Sequence, residues 1–213
     1  MIKQLCRACA VILVCVSFSP LCLAAESKEF LTDQCRKHDE RSEFPEAIDS
    51  CSKAIQVDAK NGEAYFWRGV AFVAVRQYDR AIADFTQVLD LNPKDVQALS
   101  NRGLVYRRLK LYDKAMADLN SAIEIDPAYA EGWLSRGTVF AQIDQWNDAI
   151  LDYSEGIRLN PQNYTAYHNR GIAYEQAGKK TEAVNDFQTY LRLAPEGDYL
   201  RPSVEQRIKA ISD

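Results

Sequence analysis

Beyond residue 25, the side chains able to do chemistry are few. The chain of 213 residues has two histidines, His38 and His168, and six cysteines, of which Cys6, Cys9, Cys15 and Cys22 crowd the start. Cys35 and Cys51 remain, with His38 one helical turn from Cys35. That set suits a disulfide, two buried thiols, or a metal bound by Cys35, His38 and Cys51. The metal lacks an evident fourth ligand. An even, minimal cysteine count in an exported chain favours the disulfide. His168 stands apart and reads as an exposed helix residue. The glycines are single, so no loop cradles a phosphate, and the carboxylates recur too regularly to mark a dedicated acid–base pair. No catalytic residues, metal or cofactor are expected.

A second set is charged and periodic. Arg68, Arg102, Arg136 and Arg170 each precede a Gly and recur every 34 residues. Asp84, Asp118, Asp152 and Asp186 follow them, each 16 residues on. In an antiparallel helical hairpin that offset puts Arg and Asp at similar heights. Where the period reaches back to Gln34 and Ser50, both charges vanish together. The ladder reads as partly buried ion pairs; the alternative is a row of arginines binding an anionic ligand.

The same period organises the elements that carry these residues. Gly69, Gly103, Gly137 and Gly171 keep it, as do Ala81, Ala115, Ala149 and Ala183, and Pro93, Pro127, Pro161 and Pro195. Aromatics fall between them at Phe72, Tyr106, Phe140 and Tyr174, then at Tyr78, Tyr112 and Trp146. Each period reads as two short amphipathic helices: Leu99, Gly103 and Tyr106 share one face of a first helix, Ala115, Leu119 and Ala122 one face of a second. Asp-Pro or Asn-Pro steps end most periods, because the residue before Pro leaves helical geometry. One hairpin cannot bury both flanks, whereas stacked hairpins form a continuous core.

On these residues the sequence resembles the tetratricopeptide repeat (TPR) family, over 28–197. The resemblance implies an all-α, right-handed α-solenoid of antiparallel helix pairs, with repeats at 28–61 (atypical, with the cysteine pair), 62–95, 96–129, 130–163 and 164–197. Residues 198–213, with Val204, Ile208 and Ile211 on one stripe, read as a capping helix. Cys35 stands where other repeats have Gly, and Cys51 where they have Phe85, Leu119, Tyr153 or Phe187, so the two face each other across the first hairpin. The family's first helices line a concave groove. Its candidates here are Phe66, Trp67 and Val70, then Ser100, Asn101, Leu104 and Arg108, then Leu134, Ser135 and Thr138, then His168, Asn169 and Ile172; each is open to a merely solvated or packing role. Some family members hold a terminal carboxylate with a Lys, Asn, Asn, Lys, Arg clamp. Asn101 matches one asparagine, but Phe66, Val70, Glu131 and Ser135 stand where partners are needed.

The N-terminus sets the expected compartment. Residues 1–25 run from Lys3 and Arg7 through an apolar stretch to Ala24 and Ala25, the order of a secretory signal. The apolar stretch is short for a bilayer span, which needs about 20 residues; a retained anchor is the alternative. Removing these residues takes the net charge from −4 to about −6, which disfavours nucleic acid and anionic membranes as partners. The expected product is an exported, periplasmic or secreted, non-enzymatic adaptor. Its groove would bind another protein or peptide segment and help assemble or recruit an envelope or secreted complex. A self-associating structural or chaperone-like array, or a regulatory subunit of an envelope hydrolase, are the alternatives.

Overall fold

The computed structural model describes residues 20–212, and side chains from 28 to 211. The leader read at 1–25 therefore lies outside the described residues, except for its last few positions, where the first helix begins. The chain divides into two compact units at Leu91/Asn92. The first unit holds α1 (Pro20–Glu40), α2 (Phe44–Val57), α3 (Gly62–Ala74) and α4 (Tyr78–Leu91). The second holds α5 (Val96–Arg108), α6 (Tyr112–Ile125), α7 (Ala130–Gln142), α8 (Trp146–Leu159), α9 (Tyr164–Gln176), α10 (Lys180–Leu193) and α11 (Arg201–Ser212). Each unit is a stretch of α-solenoid: consecutive helices pack as hairpins, and first helices of neighbouring hairpins also touch, as α5 meets α7 and α7 meets α9. No described helix is long and apolar enough to cross a membrane.

Short-range chemistry sets the helix ends. Asn61, Asp95 and Asn163 cap α3, α5 and α9, each side chain accepting from the backbone N–H three residues on. Between hairpins, Asp126 and Asn160 accept from the backbone N–H two residues later, closing Asx turns around Pro127 and Pro161. The turn inside each hairpin has a left-handed residue: Ser42, Arg76, Lys110, Asp144 and Gly178, φ between 59° and 74°. The next residue's N–H then bonds five back, as Gln77 to Phe72 and Leu111 to Tyr106, satisfying carbonyls that the helix end would orphan. Four of these residues carry a side chain into a region that disfavours one by about 1 kcal/mol. Closure of the hairpin outweighs that cost.

Inside the second unit, Leu134, Ala149, Ile150, Tyr153, Ile157, Ala166 and Ala173 form one core cluster. A second joins Ala183, Phe187, Tyr190 and Ala194 to Val204 of α11, with Ile208 and Ile211 packed beside them. α11 thus covers the apolar flank that α10 would otherwise expose.

The recurrent glycines mark where two helices approach closely. A Cβ built on Gly171 would lie 2.7 Å from the Phe187 ring, which is fully buried and has no room to retreat. Gly171→Ala is therefore expected to destabilise the fold by about 1–3 kcal/mol through overpacking, exceeding the roughly 1 kcal/mol that Ala gains as a helix former. Urea titration followed by far-UV circular dichroism measures the balance, and an unchanged or higher midpoint would contradict it.

Candidate functional site

The four arginines of the ladder point into their hairpins. Each makes a two-pronged bond to the aspartate 16 residues on: Arg68 to Asp84 at 2.8 and 2.8 Å, Arg102 to Asp118 at 2.8 and 2.8 Å, Arg136 to Asp152 at 2.7 and 2.9 Å, Arg170 to Asp186 at 2.7 and 2.8 Å. The carboxylates are buried and the guanidiniums nearly so. A third donor, Nη1, reaches the preceding hairpin: Arg68 to Ser52, Arg136 to Asn120, Arg170 to Ser154. The plane of each guanidinium also lies near aromatic rings, as Arg136 does between Trp133 and Phe140. Only arginine offers fork, plane and third donor together; lysine is a point charge. The hydrogen bonds that Arg68 donates to Asp84 hold it firmly charged. Burial opposes the charge of Arg170, but its bonds and attraction to Asp186 more than compensate. With these donors engaged, the arginines offer no row of anion sites.

The cysteines lie in α1 and α2, both fully buried, with Cα atoms 5.0 Å apart, inside the span a disulfide allows. His38 turns away from them to Glu43, 2.6 Å from its carboxylate. Among the described residues no His, Cys, Asp and Glu group is arranged to hold a metal.

A groove opens in the second unit along the first helices of its hairpins. Its lining comprises Leu104 and Arg107 from α5, Glu131, Leu134, Ser135 and Thr138 from α7, and Asn163, Thr165, Ala166 and Asn169 around α9. Of the sequence candidates, Leu104, Leu134, Ser135, Thr138 and Asn169 share this lining. Others do not. Ser100 is buried, beside Tyr129. The Asn101 amide donates to the Gln97 carbonyl one turn back. Arg108 is exposed outside the lining. His168 is half-buried, not exposed as expected, and packs its ring against Tyr190 and Phe187, with centroids 5.4 and 6.3 Å away. Burial lowers its pKa, and nearby Arg207 adds to the effect. Ile172 joins the same cluster. Both residues therefore serve the contact with α10 and α11. In the first unit Phe66 packs on Trp67 and Phe85, at 5.4 and 5.9 Å between centroids, and Val70 is half-buried in the same helix.

Arg107, Glu131, Asn163, Thr165 and Ala166 are groove residues that sequence reasoning misses. Arg107 lies three positions after Leu104, a spacing that shares a helical face; Arg108, four after, fits the period as well, and only the helix rotation decides between them. The groove floor is polar. Tyr153 donates to Thr138 at 3.2 Å, and Thr138 in turn donates to the Leu134 carbonyl at 2.8 Å. The Nε of Arg107 is buried with no acceptor.

Comparisons with known proteins agree with this geometry. Residues 69–130 and 164–196 match models described as tetratricopeptide repeat, and 137–178 one described as TPR repeat; together these span more than half of the chain. A segment of 42 residues is 48% identical to peptidyl-prolyl cis-trans isomerase FKBP4 of Mus musculus, but it is 20% of this chain and 9% of that one. The chain thus spans about a tenth of this relative's length. Among solved structures, MamA aligns with a TM-score of 0.66 and 24% identity, over 79% of this chain and 92% of its own. YrrB, described as a TPR protein with an unusual peptide-binding site, aligns at 0.63 and 18%, over 83% and 90%. At these identities both show the fold alone.

The ladder is testable as a unit. Arg136→Leu is expected to cost about 3–5 kcal/mol, because Asp152 stays buried without its partner. Adding Asp152→Leu recovers much of that loss, so the double variant is more stable than the sum of the two single effects. A double-mutant cycle in urea measures this, and strict additivity would rule out the coupling.

Proposed function

The chain belongs to the tetratricopeptide repeat family, and from that premise we propose that it is an adaptor whose second-unit groove takes an extended segment of a protein partner. The observation that carries this reading is the lining itself. Three successive first helices and the Asn163 cap of the last place Ser135, Asn163 and Asn169 beside Leu104 and Leu134. Polar groups able to bond a peptide backbone thus alternate with apolar anchors for its side chains. YrrB, of similar fold, is described as having a peptide-binding site, which supports a peptide as the occupant. The isomerase activity in the relative's name has no support here, since the match covers so little of that protein.

We further propose that the adaptor acts outside the cytoplasm, periplasmic or secreted, in assembly or recruitment of an envelope complex. The residue order at 1–25 supports export, and the juxtaposed Cys35 and Cys51 fit a disulfide that an oxidising compartment would maintain. For a loop of this size the chain-entropy view assigns such a bond about 3 kcal/mol, placed on the first hairpin.

Two measurements check these readings. Leu104→Asp with Asn169→Ala is expected to abolish capture of the native partner by the purified protein while the melting temperature holds within a few degrees. Undiminished capture would remove the groove assignment. Intact-mass analysis of protein from its native compartment, alkylated before reduction, should show no label on Cys35 or Cys51; two labelled thiols would exclude the disulfide.

A further inference from the structure

The groove contains one cation that the fold does not neutralise. Arg107 lines it from α5, and its Nε is buried without a hydrogen-bond acceptor. The four ladder arginines each hold an aspartate in a fork; Arg107 has no such partner among the described residues. Burial and the charge of neighbouring Arg108 both push its pKa down, and the groups favouring its charge are the phenols of Tyr153 and Tyr112. A buried donor left without an acceptor is costly in a folded protein, and more so on a charged group. Arginine nevertheless stays protonated. The groove's one carboxylate, Glu131, is exposed and so is strongly screened by water and salt. Arg107 itself is half-buried, with its Nε atom shielded from solvent and without an acceptor.

Resting on the groove reading, we propose that the occupant is an extended peptide segment that places an Asp or Glu side chain on Arg107, beside an apolar residue seated between Leu104 and Leu134. The carboxylate supplies the acceptor that Nε lacks and a second oxygen for the outer guanidinium nitrogens. Ser135 and Asn169 then face the peptide backbone. This is distinct from the clamp for a terminal carboxylate, whose positions here are Phe66, Val70, Asn101, Glu131 and Ser135. Partners with a basic residue at that place are rejected, because two cations would share a partly desolvated site.

The test begins with a random twelve-residue display library panned on the full chain. Selected peptides are expected to carry Asp or Glu at a fixed place next to an aliphatic residue. A synthetic peptide of the selected sequence should weaken about tenfold or more when that acid becomes the amide. Arg107→Gln should weaken the acidic peptide equally and be indifferent to the amide version. Arg107→Glu should recover binding when the acid is replaced by Lys. The melting temperature of Arg107→Gln should be unchanged or higher, since a buried donor without an acceptor has gone; a fall of several degrees would make Arg107 a structural residue and overturn the proposal. Acid-free peptides that lose binding on Leu104→Asp would overturn it too, while leaving the groove reading in place. Peptides indifferent to both variants, or no selected peptide at all, would overturn both. Self-association of the chain that Arg107→Gln abolishes would put a second copy in the groove, again against the proposal.

Discussion

A buried carboxylate is affordable only with a partner held rigidly against it, and the ladder of Arg–Asp forks meets that requirement four times. Each fork ties the two helices of a hairpin together at mid-height, where recurrent glycines already bring the backbones close. In Arg68, Arg136 and Arg170 the remaining nitrogen binds the second helix of the hairpin before. One side chain thus fixes a hairpin internally and against its neighbour. Such a pair contributes little net stability over well-packed apolar residues. Its value lies in geometry: the fork admits one rotational setting of the first helix, and that setting decides which residues meet the groove.

The first hairpin has a different solution to the same problem. Gln34 and Ser50 cannot form a fork, and Cys35 and Cys51 are the pair brought together across it. Within the second unit, the last hairpin is closed by α11. Val204 is fully buried there, Tyr190 donates to Asp198, and Arg207 reaches Glu175 of α9 at 2.5 Å. His168 belongs to this closure, which explains why a residue at a groove-like position in the repeat is packed instead.

Periodic residues were the ones most legible in the sequence. A 34-residue recurrence of Gly, Ala and Pro fixes helix pairs and their faces, because those residues report close packing and chain breaks directly. The hairpin turns were not legible as such: Ser42, Arg76, Lys110 and Asp144 adopt a left-handed backbone with no glycine to announce it. Their conformation is imposed by the closing hydrogen bonds on either side. Groove membership was legible to within one helical position. Leu104, Leu134, Ser135, Thr138 and Asn169 share one lining. Ser100 and Arg108 do not, since a rotation of the helix by one residue exchanges Arg108 for Arg107 and turns Ser100 toward Tyr129.

The acceptors used by the arginines' third nitrogen, Ser52, Asn120 and Ser154, share the same register as the forks themselves. A whole period can therefore be excised or duplicated without stranding a donor: deleting 130–163 would offer Arg170 the acceptor that Arg136 now uses. An insertion or deletion within a hairpin that is not a whole period would shift the forks out of register with these acceptors. The interlocking is thus modular, one repeat at a time, and the reach of the groove scales with the number of repeats stacked.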